Sequence, residues 1–145
     1  SKEHAVDLAS ALTVFFEEVI KHTAVLTGAD EATSDVVNPS VESYTKLGLG
    51  GQRNSKTRRE ERIAILSKLI GEIMPTSSTE DFPSQIRDLI WAKSPDKKCA
   101  RCKKVVPYKE YHAGHIVPKN KGGRPVISNG QVEHMTCNTS AGDRE

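Results

Sequence analysis

Cys99-Ala-Arg-Cys102 and His134-Met-Thr-Cys137 bracket the segment Tyr111-His-Ala-Gly-His-Ile-Val-Pro-Lys-Asn-Lys-Gly-Gly123. The two pairs each enclose two residues, and 31 residues lie between them, room for a hairpin. Three cysteines and a histidine in this spacing form a plausible Cys3His zinc site. From Cys99 to the end there are 47 residues, with eight large aliphatic side chains: Val105, Val106, Ile116, Val117, Val126, Ile127, Val132 and Met135. So small a unit rarely holds together on hydrophobic burial alone. A structural Zn²⁺ supplies the missing stabilisation, with an apparent binding energy of about 10–16 kcal/mol in small zinc units.

Outward from that unit, composition sets the limits. The chain has 145 residues, enough for one domain or for a small domain with a helical extension. Its hydrophobic content is 36%, and no apolar run approaches the ~20 residues that span a bilayer, so no membrane role is expected. Three cysteines cannot all pair, and two of them form a C-x-x-C. That usage points to metal ligation in a reducing, cytoplasmic setting rather than to disulfides. Ser1-Lys-Glu-His4 has neither a secretory pattern nor an initiator Met, so the expectation is a chain cut from a longer protein with an upstream domain.

The net charge of +2 hides an asymmetry. Residues 1–92 carry −4 and residues 125–145 carry −2. Residues 93–124 hold ten Lys/Arg against Asp96 and Glu110, a local +8 that attracts phosphate. Nucleic acid is the expected partner, and such a patch would meet DNA and RNA phosphates alike.

The preceding region reads as helical. Residues 3–27 place Val6, Leu8, Ala9, Leu12, Phe15, Phe16, Val19 and Ile20 at helical spacing, with Gly28 as a stop. Residues 28–56, with Asn38-Pro39, Gly48 and Gly50-Gly51, read as loop. A second helix is predicted at about 57–74, capped by Thr57 with Glu60, its apolar face at Ile63, Leu66, Leu69, Ile70 and Ile73, and stopped by Pro75. Arg53, Lys56, Arg58, Arg59 and Arg62 crowd its start, facing phosphate or pairing with Glu60 and Glu61. A third helix is predicted at 83–93, capped near Asp81 or Ser84, with Ile86, Leu89, Ile90 and Trp91 inward. Within the zinc unit, Val105-Val106-Pro107 and His115-Ile116-Val117 read as paired strands, and Ser128-Asn129-Gly130 as the opening of a helix.

The order knuckle, strand, strand, loop, helix resembles the ββα-metal arrangement of HNH endonucleases. The resemblance rests on Gly114-His115-Ile116-Val117-Pro118, Gly122-Gly123, Asn129-Gly130-Gln131 and His134-x-x-Cys137-Asn138. It covers roughly residues 98–142, and is most similar to the C-terminal part of ParB-like and GmrSD-type restriction and anti-phage proteins. It implies a metal-dependent hydrolase of DNA phosphodiester bonds. His115 would be the general base, Asn129 would fix the loop that orients it, and Asn138 would bind a catalytic Mg²⁺, Mn²⁺ or Ni²⁺. Cys99, Cys102, His134 and Cys137 would hold the structural Zn²⁺, while Lys103, Lys104, Lys119, Lys121 and Arg124 would meet nucleic-acid phosphates. Most relatives place Asp, a ligand of the catalytic metal, where this chain has Gly114. His112 is then the nearest substitute: a bulge at Ala113-Gly114 would turn it toward His115, and without one it is an exposed strand residue and the metal is held mainly by Asn138 and substrate. Ala141-Gly142 stands where Lys-Gly commonly ends the helix. The alternative is a catalytically weakened, zinc-stabilised nucleic-acid-binding module.

The expected fold class is therefore α+β. A helical scaffold or docking region, 1–94, with its loop at about 28–56, packs on a zinc-stabilised ββα-metal unit, 95–145.

Overall fold

The computed structural model describes residues 2–31, 37–73 and 81–141. Four helices precede the C-terminal unit: α1 (Lys2–Leu26), α2 (Pro39–Leu47), α3 (Lys56–Ile73) and α4 (Ser84–Lys93). Then follow strand β1 (Tyr111–His115), strand β2 (Gly130–His134) and helix α5 (Met135–Ala141). Short 3-10 turns stand before β1, after it and before β2. This is the expected class, a helical region followed by a small two-stranded sheet.

Apolar spacing located α1, but its neighbours chose the face. Ala11 and Phe15 are fully buried, whereas Val6 and Ile20 lie 62% and 69% exposed. Phe15 meets Phe16 and Tyr44 edge-on, at centroid distances of 5.4 and 5.6 Å, which joins α1 to α2. In α3 the buried positions are Leu69 and Ile73, and Ile63 is 60% exposed. Trp91 is a core residue, packed on Tyr111 and Tyr108.

The stretch read as loop over 28–56 contains α2. Asn38-Pro39 was a breaker signal, yet it opens this helix. The Asn38 side chain accepts from the Ser40 and Val41 amides at 2.8 and 3.3 Å, and Pro39 occupies the first turn, where its missing N–H costs nothing. Of the cations at the start of α3, Lys56 pairs with Glu60 at 3.8 Å, whereas Arg58 donates to Leu49 O at 2.8 Å and Arg62 to Leu47 O at 3.4 Å, at the chain end of α2. Ser55, not Thr57, accepts the Arg58 amide. Asp81 and Ser84 do not cap α4, whose N-cap is Pro83. Pro75 and Gly142 lie outside the described residues.

The strand pairing also differs from expectation. Val105 bridges Lys98 instead of joining a hairpin, closing a knuckle in which the Cys99 amide donates to Lys104 O and the Lys103 amide to Cys99 O, both at 2.9 Å. Lys103 accepts a left-handed φ of 65° to make that turn. β1 pairs antiparallel with β2, Tyr111 opposite His134 and His115 opposite Gly130. Asn129-Gly130 thus enters a strand, and the helix begins only at Met135.

One core runs through both regions. Ile86, Leu89, Ile90 and Trp91 of α4 share it with Cys99, Val106, Tyr111, Ala113, Ile127 and Val132. Arg87 donates to Tyr111 O at 3.1 Å, and the Tyr111 hydroxyl donates to Arg87 O at 2.7 Å. The guanidinium also lies 4.8 Å from the Tyr111 ring centre. Gly130 makes the fit possible, because a Cβ there would stand 2.1 Å from Ile90 Cδ1. Gly130→Ala is therefore expected to lower stability by about 1–3 kcal/mol through overpacking, read as a lower urea midpoint at unchanged slope. An unchanged midpoint would show that α4 does not pack this closely.

Candidate metal centre and nuclease site

Cys99 and Cys102 stand on the knuckle, His134 ends β2, and Cys137 lies in the first turn of α5. Their ligand atoms all fall within 4.8 Å of one another. Cys102 Sγ is 3.2 Å and Cys137 Sγ 3.9 Å from His134 Nδ1. These separations suit a tetrahedral ion with Zn–S near 2.3 Å and Zn–N near 2.0 Å.

The electrostatics of the thiols point the same way. Burial pushes the Cys99 thiol up, but hydrogen bonds from the Cys102, His134 and Arg101 amides outweigh it and hold the group at about 6. The Cys137 thiol is raised to about 11, by burial and then by the sulfurs of Cys102 and Cys99. Sulfurs this close disfavour one another's ionisation, and a bound cation would relieve that repulsion.

A second site lies beside this one. A cleft of about 230 Å³ is lined by Asp81, Phe82, Arg87, His112, Ala113, His115, Lys119 and Asn138. It takes residues from both faces of β1 and none from β2, so it follows the unpaired edge of β1. The Phe82 and His115 rings stack at 4.3 Å. Burial, then the Lys119 charge, lower the pKa of His115, with Asp81 working against them. Its Nε2 is buried and has no hydrogen-bond partner among the described residues. The expected bulge at Ala113-Gly114 is absent, since the β1–β2 register runs unbroken. His112 reaches the cleft without one because the cleft opens on the strand edge.

Asn129 grips the chain just beyond His115. Its Oδ1 accepts from the Val117 amide at 2.8 Å, and its Nδ2 donates to Val117 O and Arg124 O at 3.2 and 2.9 Å. Asn138 follows Cys137 on α5 and lines the cleft.

The basic residues separate into two groups. Lys104 and Lys121 are exposed, as is Lys103, which reaches back to Ala100 O at 2.7 Å. Lys119 is paired with Asp81, and Arg124 binds Asp7 of α1 at 2.7 Å. Arg124 thus ties the helical region to the C-terminal unit.

Sequence reasoning took Asp81 as a helix cap and gave Phe82 no role. The side chain of Glu133 is wholly buried beside Asn138. No local signal marks Glu133, which faces inward only because of what β1 lacks.

Residues 99–144, about a third of the chain, match the family model of the HNH endonuclease. Neither curated proteins nor solved structures gave a match. The match supports a nuclease or DNA-binding function, and the Cys3His cluster supports a structural zinc. Among the described residues no helix is long and apolar enough to cross a membrane.

Purified protein should contain about one zinc per chain by metal analysis. Because the zinc unit and the helices share one core, chelation should lower the melting temperature of the whole chain and unfold residues 99–141. A metal-free preparation that melts unchanged would dismiss the structural zinc.

Proposed function

We propose that the C-terminal unit is a metal-dependent HNH endonuclease that hydrolyses DNA phosphodiester bonds. The observation that supports this most is the shared cleft, in which His115, Asn138 and His112 converge within the stretch matched to the family. In this reading His115 is the general base. Its lowered pKa leaves the imidazole neutral at neutral pH, ready to take a proton from the attacking water. Asn129 holds the Val117 loop and so the orientation of His115. Asn138, with His112, would hold a Mg²⁺, Mn²⁺ or Ni²⁺ ion. When bound, such an ion polarises the phosphoryl oxygen and stabilises the leaving alkoxide. Cutting leaves 5′-phosphate and 3′-hydroxyl ends.

Lys103, Lys104 and Lys121 would meet backbone phosphates directly, joined by Lys119 once substrate competes with Asp81. Residues 1–94 form the scaffold on which the nuclease unit, 95–145, is seated. The biological setting proposed is restriction or anti-phage defence in the cytoplasm.

Gly114, in place of an acidic residue, favours a second reading: a zinc-stabilised module that binds nucleic acid and cuts weakly or not at all. Plasmid nicking with added Mg²⁺, Mn²⁺ or Ni²⁺ separates the two. His115→Ala should abolish nicking, a loss of at least about 10²-fold, with zinc content intact. Retained cutting by that variant removes His115 as the base. No cutting by the unaltered protein, with salt-sensitive DNA binding, leaves the module.

The pH profile follows from the direction of the His115 shift. Protonation disables the base, so cleavage should fall as pH drops through the His115 pKa. Because that value is lowered, the acid limb lies below the ordinary imidazole value of ~6.5. An acid limb above that value in initial-rate measurements would assign it to another group.

A further inference from the structure

Glu133 carries a carboxylate in a place where one is costly. It is 0% exposed, in the layer between the β1–β2 sheet and α5. A buried carboxylate needs a countercharge and a full set of hydrogen bonds. Arg101 Nε lies 2.8 Å from Oε1, Gln131 Nε2 donates to Oε2 at 2.9 Å, and Asn138 Nδ2 lies 3.4 Å from Oε1. Arg101 balances the charge of Glu133 itself.

Its neighbours have the right donors. Glu133 is the cross-strand partner of His112. Side chains alternate along a strand, so His112, Gly114, Gln131 and Glu133 share one face, the face that Asn138 reaches from α5. A carboxylate and an amide oxygen suit Mg²⁺ or Mn²⁺, an imidazole tips the choice toward the softer Mn²⁺, and water can complete an octahedral shell. The Asn138 amide has only to turn over to present its oxygen.

The space occupied by the carboxylate is specific. A Cβ built on Gly114 would lie 1.7 Å from Glu133 Oε2 and 2.3 Å from its Cδ. No side chain can stand at position 114 while Glu133 holds this conformation. The glycine on β1 and the glutamate on β2 are therefore one arrangement: the first opens the space, and the second fills it from the opposite strand.

We propose that Glu133, which lies against Asn138 behind the lining of this cleft, is the carboxylate ligand of its divalent cation, reaching across the sheet into the space left by Gly114. Arg101 and Gln131 hold the carboxylate in position, and Asn138 and His112 complete the protein donors. This assignment rests on the metal-dependent reading above and replaces a site held by Asn138 and His112 alone.

The test is Mn²⁺ titration of the zinc-loaded full chain without nucleic acid, with free Mn²⁺ read by electron paramagnetic resonance. The unaltered protein should bind one Mn²⁺. Glu133→Gln should weaken binding at least about tenfold while keeping about one zinc per chain. The double variant Gly114→Asp/Glu133→Ala, which moves the carboxylate to the other strand, should recover affinity to within a few fold. Unaltered affinity in the Glu133→Gln variant would overturn the assignment, leave Glu133 as the counterion of Arg101 and leave the nuclease reading standing. No Mn²⁺ binding by the unaltered protein overturns both. If Glu133→Gln loses zinc, the double variant decides, and a zinc-loaded double variant without Mn²⁺ affinity overturns the assignment. Loss of zinc from both would give Glu133 to the fold and overturn it too.

Discussion

A two-stranded sheet cannot hold itself together in water, and both faces of β1–β2 must be covered. One face carries Tyr111, Ala113 and Val132 into the core built on α4. The other carries His112, Gly114, Gln131 and Glu133 toward α5. Seven residues are too few to make α5 stable as an isolated helix, so its position depends on tertiary fastening. The Cys137 thiol beside His134, Cys102 and Cys99 provides that fastening when a metal joins them. The helical region is therefore more than an appendage. Without α4, the tyrosine and alanine face of the sheet would be bare.

Charge follows the same logic. The basic stretch 93–124 looks uniform as sequence, yet much of it is used inside the molecule. Lys97 binds the carbonyls of Trp91, Ala92 and Ser94 at the end of α4, where a cation also suits the helix dipole. Lys93 donates to Ile127 O at 3.2 Å, Arg101 holds Glu133, and Arg124 holds Asp7. What remains outward is a smaller group around the knuckle and the Lys119–Lys121 turn. A phosphate-binding surface inferred from net charge alone would be overstated.

The legible parts of this chain were those in which residue identity is itself the chemistry. Cysteine and histidine at C-x-x-C and H-x-x-C spacing can be read without a fold, and the four come together. Trp91 with its α4 neighbours, at helical spacing, also read correctly as core. Strand pairing did not, because Val105-Val106 has the higher β-propensity, whereas β2 begins at an Asn-Gly that usually marks a turn. The α2 helix was hidden by the same ambiguity, since Asn-Pro both breaks chains and opens helices. The buried face of α1 was illegible for another reason. Apolar residues occupy much of that helix, and contacts with neighbouring elements, α2 and α4 foremost, choose Ala11 and Phe15 over Val6 and Ile20.

Glu133 shows where local reading ends. A glutamate within Gly-Gln-Val-Glu-His alternates as an outward strand residue should, and nothing adjacent marks it as buried. Its placement depends on Gly114, nineteen positions earlier and diagonal to it on the sheet. Arg101, the residue that neutralises it, lies between the zinc ligands Cys99 and Cys102, and Asn138 directly follows Cys137. The two sites are thus mechanically one. An ion in the Cys3His cluster fixes the knuckle that carries Arg101 and the helix turn that carries Asn138, and these bound the carboxylate on two sides. Loosening the zinc cluster would release both constraints at once.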